Sequence, residues 1–341
     1  MKAYIVLENG QIFEGKRFGA EADAIGELVF TTTMGSYMET LTDPCYHGQI
    51  VLQTFPLIGN YGIVTKDIQS DKVHVAGYVI RDLCEAPSNF RCEGDLNSFL
   101  KAQGITGIYG VDTRELTRII RENGTMTAKI VSEKPENAEM TYAICDAVKA
   151  VATGETKEYK ADNAKYNVAV LNLGATQGLA DALVKRGCNV CALPYDTAAD
   201  KLLTYDAIVL SAGPGDPAEN KAVIETVAEV FGKKPIFGIG LGHQILALAA
   251  GGKTEKMKVG HRGANVPVRD EKSGRVYITA QNHGYTVNCE TLPEFAKLCF
   301  VNANDKTCEG IEYEGKKAFS VQFQPERTAF LFDKFIEMVG E

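Results

Sequence analysis

Two kinds of sequence run are missing from this chain of 341 residues. No apolar stretch approaches the length of a membrane-spanning helix, about 18–20 residues, which excludes such a helix. No cluster of lysines and arginines is present, and the formal net charge is −8. Nucleic-acid binders and anionic-membrane binders need a basic face, so both classes are excluded. The N-terminal segment MKAYIVLENGQIFEG is typical of two strands and a turn rather than of a signal peptide, so we expect a cytoplasmic protein.

A second CxxC pair is also missing. Nine cysteines are scattered along the chain, and because nine is odd, at least one lacks an intramolecular partner. Only Cys188 and Cys191 have CxxC spacing, and a zinc site of this type needs a second pair. No other group of histidines, cysteines and acidic residues has the spacing of metal ligands. We therefore expect reduced thiols in a reducing compartment, and the sequence predicts no metal site.

The length predicts two domains, at about 150 residues per domain. In the first half, short apolar runs are bounded by turn residues, which indicates a β-rich domain with one or two helices. Helices are predicted over 111–124, where Asp112 is a candidate N-cap, and over 138–151. The polar segment 153–166 has almost no apolar periodicity and is the predicted linker. The predicted domains are therefore 1–152 and 167–341.

The second half has a different pattern of apolar residues along the sequence. Near-continuous apolar strands alternate with helices, a pattern typical of βαβ units and of a parallel sheet covered on both faces. Strands are predicted over 167–173, 189–194, 205–213, 235–240, 275–282 and 317–324. Helices are predicted over 178–187, 222–232, 241–252 and 330–340.

The segment Gly238-Ile-Gly240-Leu-Gly242 lies at one of the predicted strand-to-helix junctions. Two flanking glycines around a central residue at such a junction are typical of a nucleophile elbow, which exposes the central side chain on a strained turn. Amides at the start of the following helix can stabilise an oxyanion. Gly240 has no side chain and cannot be a nucleophile, although glycine relieves strain of about 1–3 kcal/mol. A phosphate-binding turn is disfavoured, because the Walker lysine and the G-x-G-x-x-G spacing are both absent.

Several ordered motifs carry a family resemblance. Four segments of the second half resemble the class I (triad-type) glutamine amidotransferases: Ser211–Pro217, Phe237–Gln244, Gln281–Tyr285 and Val321–Glu326. The whole chain more closely resembles the small, glutaminase subunit of carbamoyl-phosphate synthetase. The motifs that support this narrower resemblance are Leu41–Tyr46, Phe55–Gly62, Gly110–Arg118, Gly260–Asn265 and Gly274–Thr279.

The resemblance implies an α/β fold. An N-terminal β-rich small-subunit domain would precede a class I glutamine amidotransferase domain, which is flavodoxin-like with a mainly parallel sheet. The resemblance also implies a Cys-His-Glu triad that hydrolyses glutamine through a glutamyl thioester. The ammonia would pass to a large synthetase subunit, which makes carbamoyl phosphate from bicarbonate and ATP for arginine and pyrimidine synthesis.

The triad carries over only in part. Gly240 stands at the position of the cysteine, Gln324 at that of the histidine and Glu326 at that of the glutamate. The nucleophile and the base are therefore lost, since a glutamine side chain cannot act as a general base. The resemblance thus predicts the architecture of a glutaminase without its catalytic groups.

The substrate-binding positions are mixed. Tyr285 stands where the family has an aromatic residue, usually phenylalanine, and Cys45 stands where it usually has serine. The loop at 172–178 lacks the usual basic residues, and the loop at 327–329 is shorter than expected. Changes at so many positions fit drift in a paralogue better than a designed inactive variant. The positions that match the family's glutamine-contacting residues are Gly213, Gly215, Leu241, Gln244, Asn282 and Gly284.

Three functions remain open from the sequence. The leading hypothesis is a small-subunit homologue that has lost glutamine hydrolysis and docks on a large synthetase subunit, with ammonia taken from solution. This chain would hold no cofactor, because ATP and Mg²⁺ would belong to the large subunit. The second hypothesis is a non-catalytic glutamine-binding module. The third is an active glutaminase with a rebuilt site, in which Cys45 is the nucleophile and His283 the base; we expect instead that His243 and His283 are structural hydrogen-bonding residues.

Overall fold

The computed structural model describes residues 1–135, 140–152 and 154–341. The chain divides into two compact units, Met1–Cys145 and Asp146–Glu341. The predicted boundary is therefore corrected, because the division lies before residue 146 and not at a linker over 153–166. Within that predicted linker, Lys157–Tyr159 forms a strand of the second unit. Its side chains are polar and mostly exposed, as on many sheet edges, and so give no apolar periodicity.

The first unit is built on a closed β-barrel, which confirms its predicted β-rich character. Its strands are β1 (Lys2–Leu7), β2 (Ile12–Gly19), β3 (Ala24–Thr31), β4 (Gln49–Gln53), β5 (Leu57–Ile58), β6 (Gly77–Val79), β7 (Asp82–Leu83), β8 (Thr106–Tyr109) and β9 (Met126–Val131). Around the barrel the order is β1-β2-β8-β6-β4-β3-β9, and β5 pairs with β7 in a separate sheet. Pairing of β9 with both β1 and β3 closes the barrel and buries its apolar interior.

Three helices accompany the barrel in the described part of the first unit: α1 (Tyr37–Thr42), α2 (Leu96–Ala102) and α3 (Thr113–Asn123). The prediction of α3 is confirmed with its cap, since the Asp112 carboxylate accepts from the backbone N–H of Arg114 and of Glu115. Gly124 follows the helix at φ 96°. The second predicted helix is corrected: residues 138 and 139 lie outside the described part, residues 140–146 are not helical, and only α4 (Ala147–Val151) forms.

The second unit contains the predicted parallel sheet together with antiparallel strands, of which only the strand predicted over 275–282 was expected from the sequence. Its strands are β10 (Lys157–Tyr159), β11 (Tyr166–Asn172), β12 (Cys188–Pro194), β13 (Ala207–Leu210), β14 (Ile236–Ile239), β15 (Lys253–Asp270), β16 (Val276–Asn288), β17 (Ala296–Asn302), β18 (Cys308–Tyr313) and β19 (Ala318–Val321). The sheet order is β10-β12-β11-β13-β14-β19-β18-β17-β15-β16. Five neighbouring strands of this sheet are parallel: β12, β11, β13, β14 and β19. The remaining strands pair antiparallel on both sides of these five.

Helices cover both faces of the parallel strands, as the flavodoxin-like prediction requires. Besides α4 they are α5 (Gln177–Val184), α6 (Ala199–Leu202), α7 (Lys221–Val230), α8 (Leu241–Ala249) and α9 (Phe330–Gly340). Leu171 packs in a core with Val227 of α7 and Ile245 of α8. Val170, the preceding residue in the strand, faces the other way and packs with Leu183 of α5 and Phe335 of α9.

Each of the nine cysteines is a free thiol, and Cys188 and Cys191 both lie in β12. In the described part of the chain, no helix has the length and apolar character needed to cross a membrane.

Candidate functional site

The predicted catalytic positions meet at one edge of the second unit's sheet. Gly240 directly follows β14, and Gln324 lies three residues beyond the end of β19. These two strands are parallel neighbours, with Ile239 opposite Val321, so their carboxyl ends lie side by side. In open α/β sheets this edge is where ligands bind. The structure therefore brings the predicted nucleophile and base positions to the expected edge.

Gly240 keeps the backbone of an elbow. Its φ of 56° and ψ of −113° lie where side chains with a Cβ are strained. Its N–H donates to the Val321 carbonyl over 2.9 Å, and its own carbonyl accepts from the N–H groups of His243 and Gln244 at the start of α8. The turn is thus held at both ends, by the next strand and by the helix.

The three glycines of the elbow differ in the space around them. A Cβ added at Gly242 would lie 2.3 Å from the Leu210 carbonyl oxygen, and one at Gly238 would lie 2.7 Å from the Gly242 carbonyl oxygen. At Gly240, the nearest atom to an added Cβ is the Cβ of Ala212, at 3.0 Å. The flanking glycines are therefore fixed by backbone packing, whereas the central position could hold a small side chain after a slight shift of Ala212.

The base and acid positions lie just beyond β19. The N–H of Gln324 donates to the Ala280 carbonyl over 2.9 Å, and the residue precedes a 3₁₀ turn at Pro325–Arg327. Gln324 is half-buried and Glu326 is exposed. Neither Gly240 nor Gln324 has a side chain that can act as a nucleophile or as a general base.

Gln244 connects the elbow helix to the segment that carries the predicted binding positions Asn282, Gly284 and Tyr285. Its side chain is buried, and its Nε2 donates to the Tyr285 carbonyl over 2.7 Å and to Gln322 Oε1 over 2.9 Å. Leu241, the first residue of α8, is buried beside the Gly213 backbone. These two predicted binding positions therefore lie in the wall of the site.

Sequence reasoning missed Gln322, which is the partner of Gln244. Its Nε2 is buried and has no hydrogen-bond partner among the described residues. The alternation in Val321-Gln-Phe-Gln324 was the available signal, because residues two apart on an extended chain share a face.

The glycine positions allow close approach of backbone segments. An added Cβ at Gly213 would lie 2.3 Å from the Leu173 carbonyl oxygen. Gly215 has φ 88°, a left-handed conformation that favours glycine. Gly284 lies in β16 between His283 and Tyr285, where an added Cβ would lie 3.1 Å from an Arg262 Nη atom. Packing and backbone conformation therefore favour glycine at these positions, whether or not a substrate contacts them.

His243 and His283 are held as structural groups, as the sequence predicts. His243 is fully buried with its Nδ1 2.8 Å from Ser320 Oγ, and burial lowers its pKa to about 3. His283 lies next to Asn282 in β16, with its Nδ1 2.8 Å from the Tyr285 carbonyl. Burial, and then the neighbouring His261, lower the pKa of His283 well below its usual value. A ring held in this way is a poor general base near neutral pH.

Cys45 lies in the first unit, in the 3₁₀ turn Pro44–Tyr46. Its backbone N–H donates to the Asp43 carboxylate over 2.9 Å, and its side chain is buried. Burial, followed by the nearby Asp43 charge, raises the pKa of the Cys45 thiol well above its usual value. Because the thiolate is the reactive form, this thiol is unreactive at neutral pH. The rebuilt glutaminase with Cys45 as nucleophile is therefore disfavoured.

His243 gives an expected pH dependence of stability. Its folded pKa of about 3 lies below the unfolded value of about 6.5, so the unfolded chain binds the proton more readily. Its contribution is present above about pH 6.5 and is lost as the pH falls, by about 2 kcal/mol between pH 7 and pH 5. His243→Asn should flatten this loss in urea denaturation followed at several pH values. Ser320→Ala should keep the slope, and an unchanged slope in His243→Asn would contradict the assignment.

Two families match the chain. The family "Carbamoyl-phosphate synthase small chain, CPSase domain" matches residues 5–130, and "Glutamine amidotransferase class-I" matches residues 169–338. The chain is 45% identical to the carbamoyl phosphate synthase small chain of Clostridium perfringens over 99% of both chains. It is 42% identical to that of Archaeoglobus fulgidus over 100% of this chain and 99% of the relative. A solved structure of a glutamine amidotransferase from Thermotoga maritima has a TM-score of 0.40 and 20% identity, over 50% of this chain and 83% of that one.

Proposed function

The chain belongs to the carbamoyl-phosphate synthase small-chain family, and from that premise we propose that it is a small chain that no longer hydrolyses glutamine. The observation that carries the proposal is the pair of residues at the carboxyl ends of β14 and β19. Gly240 occupies the elbow where the thiolate is required, and Gln324 stands where the base is required. Without both groups, attack on the glutamine amide has neither a nucleophile nor a proton acceptor.

The retained structure supports a role as a partner of a large synthetase subunit. The elbow backbone, its flanking glycines and the Gln244 contacts are those of an intact scaffold. Such a chain would stabilise or regulate the large subunit, which would make carbamoyl phosphate from bicarbonate, ATP and ammonia taken from solution. ATP and Mg²⁺ would be bound by the large subunit, in the cytoplasm, and this chain would need no cofactor.

A glutamine-binding module is the second candidate, and it rests on the retained binding positions. Gly213, Gly215, Gln244 and Asn282 are all present in the second unit. A bound glutamine would then report its own level to the partner without being hydrolysed. Calorimetry with glutamine separates the two candidates, because a scaffold without a functional pocket gives no heat of binding.

The proposal is tested by reconstitution with a synthase large chain. We expect the complex to form carbamoyl phosphate with ammonia and not with glutamine. The small chain of Clostridium perfringens, assembled in the same way, is the positive control for the use of glutamine. Glutamine-dependent synthesis that thiol alkylation abolishes would contradict the proposal, and a Cys45→Ser variant would show whether Cys45 is responsible. Failure to associate with any large chain would remove the partner role.

A further inference from the structure

A cluster of two histidines and a glutamate lies in the antiparallel part of the second unit. His261 of β15 and His283 of β16 are directly opposite each other in the strand register, with ring centroids 5.0 Å apart. Glu309 of β18 completes the cluster, with its Oε1 3.4 Å from His261 Nδ1. One ligand-type atom from each of the three residues lies within 4.8 Å of the other two. The sequence gives no sign of this cluster, because its members are far apart along the chain.

The outer nitrogen of each ring is already held by an acceptor. His261 Nε2 lies 2.7 Å from an Asp305 carboxylate oxygen, and His283 Nδ1 lies 2.8 Å from the Tyr285 carbonyl. Each contact places a proton on the outer nitrogen, so in a neutral ring the inner nitrogen carries the lone pair. Metal-binding histidines have this arrangement, with the second N–H donated to a carboxylate or a backbone carbonyl.

Two neutral amides donate to Glu309, and the nearest group that can carry a positive charge is the His261 ring. His283 Nε2 lies 2.9 Å from Gln281 Oε1, and Gln281 Nε2 donates to Glu309 Oε2 over 2.8 Å. With the ring proton on Nδ1, His283 Nε2 and Gln281 Oε1 are both acceptors. If the Gln281 amide is rotated by half a turn, its nitrogen can donate to His283 Nε2. Its oxygen then faces the Glu309 carboxylate, so two acceptors still face each other.

Burial raises the free-energy cost of a negative charge on Glu309 that has no positively charged partner. Glu309 is fully buried, and its other oxygen accepts from Asn302 Nδ2 over 3.2 Å. Amide donors are neutral and do not balance a charge, and a buried ion needs a partner of opposite sign. Protonating His261 alone would balance Glu309 but would leave His283 Nε2 facing Gln281 Oε1. Protonating both rings would place two like charges 5.0 Å apart. One divalent cation supplies the same charge and leaves both rings neutral.

We propose that this cluster is a zinc-class divalent metal site, with His261 Nδ1, His283 Nε2 and the Glu309 carboxylate as ligands. Imidazole nitrogens and a carboxylate suit such an ion. Tetrahedral bonds of about 2.0–2.1 Å place ligand atoms about 3.3 Å apart, close to the observed 3.4 Å between His261 and Glu309. The Gln281 amide rotates aside, and the ion enters past the partly exposed His261 and Asp305.

A metal ion at this site would hold in place the segment that carries Asn282, Gly284 and Tyr285. His283 lies within that segment, and the Tyr285 carbonyl accepts from both His283 and Gln244. A metal bond at His283 would therefore fix the strand against β15 and β18. The proposal does not depend on the presence or absence of glutamine hydrolysis.

The experiment is a metal titration of the full chain after removal of metals with a chelator. Zn²⁺ is followed by calorimetry and Co²⁺ by visible absorption, since Co²⁺ distinguishes nitrogen and oxygen ligands from thiolates. We expect one ion per chain without a thiolate charge-transfer band. Glu309→Gln should weaken binding by about 100-fold or more, and Asp305→Asn by about 10–100-fold, as for residues that orient a ligand. His47→Asn, which removes a histidine of the first unit, should leave binding unchanged.

Three outcomes would overturn the proposal. The first is the absence of saturable binding at micromolar metal, which would mean that a proton on Glu309 balances the cluster. The second is a thiolate band, which would place the metal on the free cysteines. The third is unchanged affinity in Glu309→Gln, which would place the metal away from this cluster. Because variants can misfold, thermal melts provide a second measurement: Zn²⁺ should raise the Tm of the native chain and leave that of a folded Glu309→Gln variant unchanged.

Discussion

A variant carrying Gly240→Cys and Gln324→His is expected to hydrolyse glutamine, whereas the native chain releases no glutamate above the spontaneous rate. The double change restores the thiol and the base at the ends of two neighbouring parallel strands. A Cβ at position 240 lies 3.0 Å from Ala212 Cβ, so a small shift accommodates it. Glu326, at the acid position of the triad, is two residues beyond the restored histidine. Glutamate release by the purified chain, with and without thiol alkylation, is the measurement.

Single variants and a matched control make this result specific. Gly240→Cys alone lacks the base and should be about 100-fold or more slower than the double variant, the usual contribution of a general base. Gly240→Ala with Gln324→His adds the same Cβ without a thiol and should be inactive. A folded double variant that binds glutamine and stays inactive would show that more than two catalytic groups were lost.

The fold was predictable where the local pattern is strong. Asp112 and Gly124 mark the two ends of α3, and the apolar strands β11, β13 and β14 stand out because both of their faces are buried. Closure of the barrel was not predictable, because it depends on β9 pairing with β1 and β3, which are distant along the chain. β15 is mostly half-buried and its sequence is largely polar, so the sequence shows no clear apolar face.

The candidate site also contains residues that could be predicted from the sequence and residues that could not. Gly240, Gln324 and Gln244 could be placed from the sequence because their motifs are contiguous and lie at strand ends. Gln322 and the cluster around Glu309 could not, because their partners come from separate strands whose register is set by tertiary pairing. Whether a buried carboxylate has a partner of opposite charge can be judged only once the fold shows which groups surround it.

Alanine substitutions at the three elbow glycines are expected to differ sharply in their effect on stability. Gly242→Ala should cost about 3 kcal/mol or more, because its Cβ would lie 2.3 Å from a backbone oxygen that cannot move aside. Gly238→Ala should also be strongly destabilising, with a backbone oxygen 2.7 Å from its Cβ. Gly240→Ala should cost about 1–3 kcal/mol, from φ 56° and a tight contact with Ala212. Urea denaturation of the three variants gives the free energies of unfolding.

The order of these costs accounts for an elbow that is intact and yet has no nucleophile. The flanking glycines are held by contacts with the backbone of β13 and of α8, so drift that removes them also destabilises the fold. The central position carries strain when it has a side chain, and glycine removes that strain. Once glutamine hydrolysis is no longer selected, stability favours the loss of the nucleophile and preserves the turn around it. If Gly242→Ala proves as mild as Gly240→Ala, backbone packing does not hold the flanks, and this account of the preserved elbow is wrong.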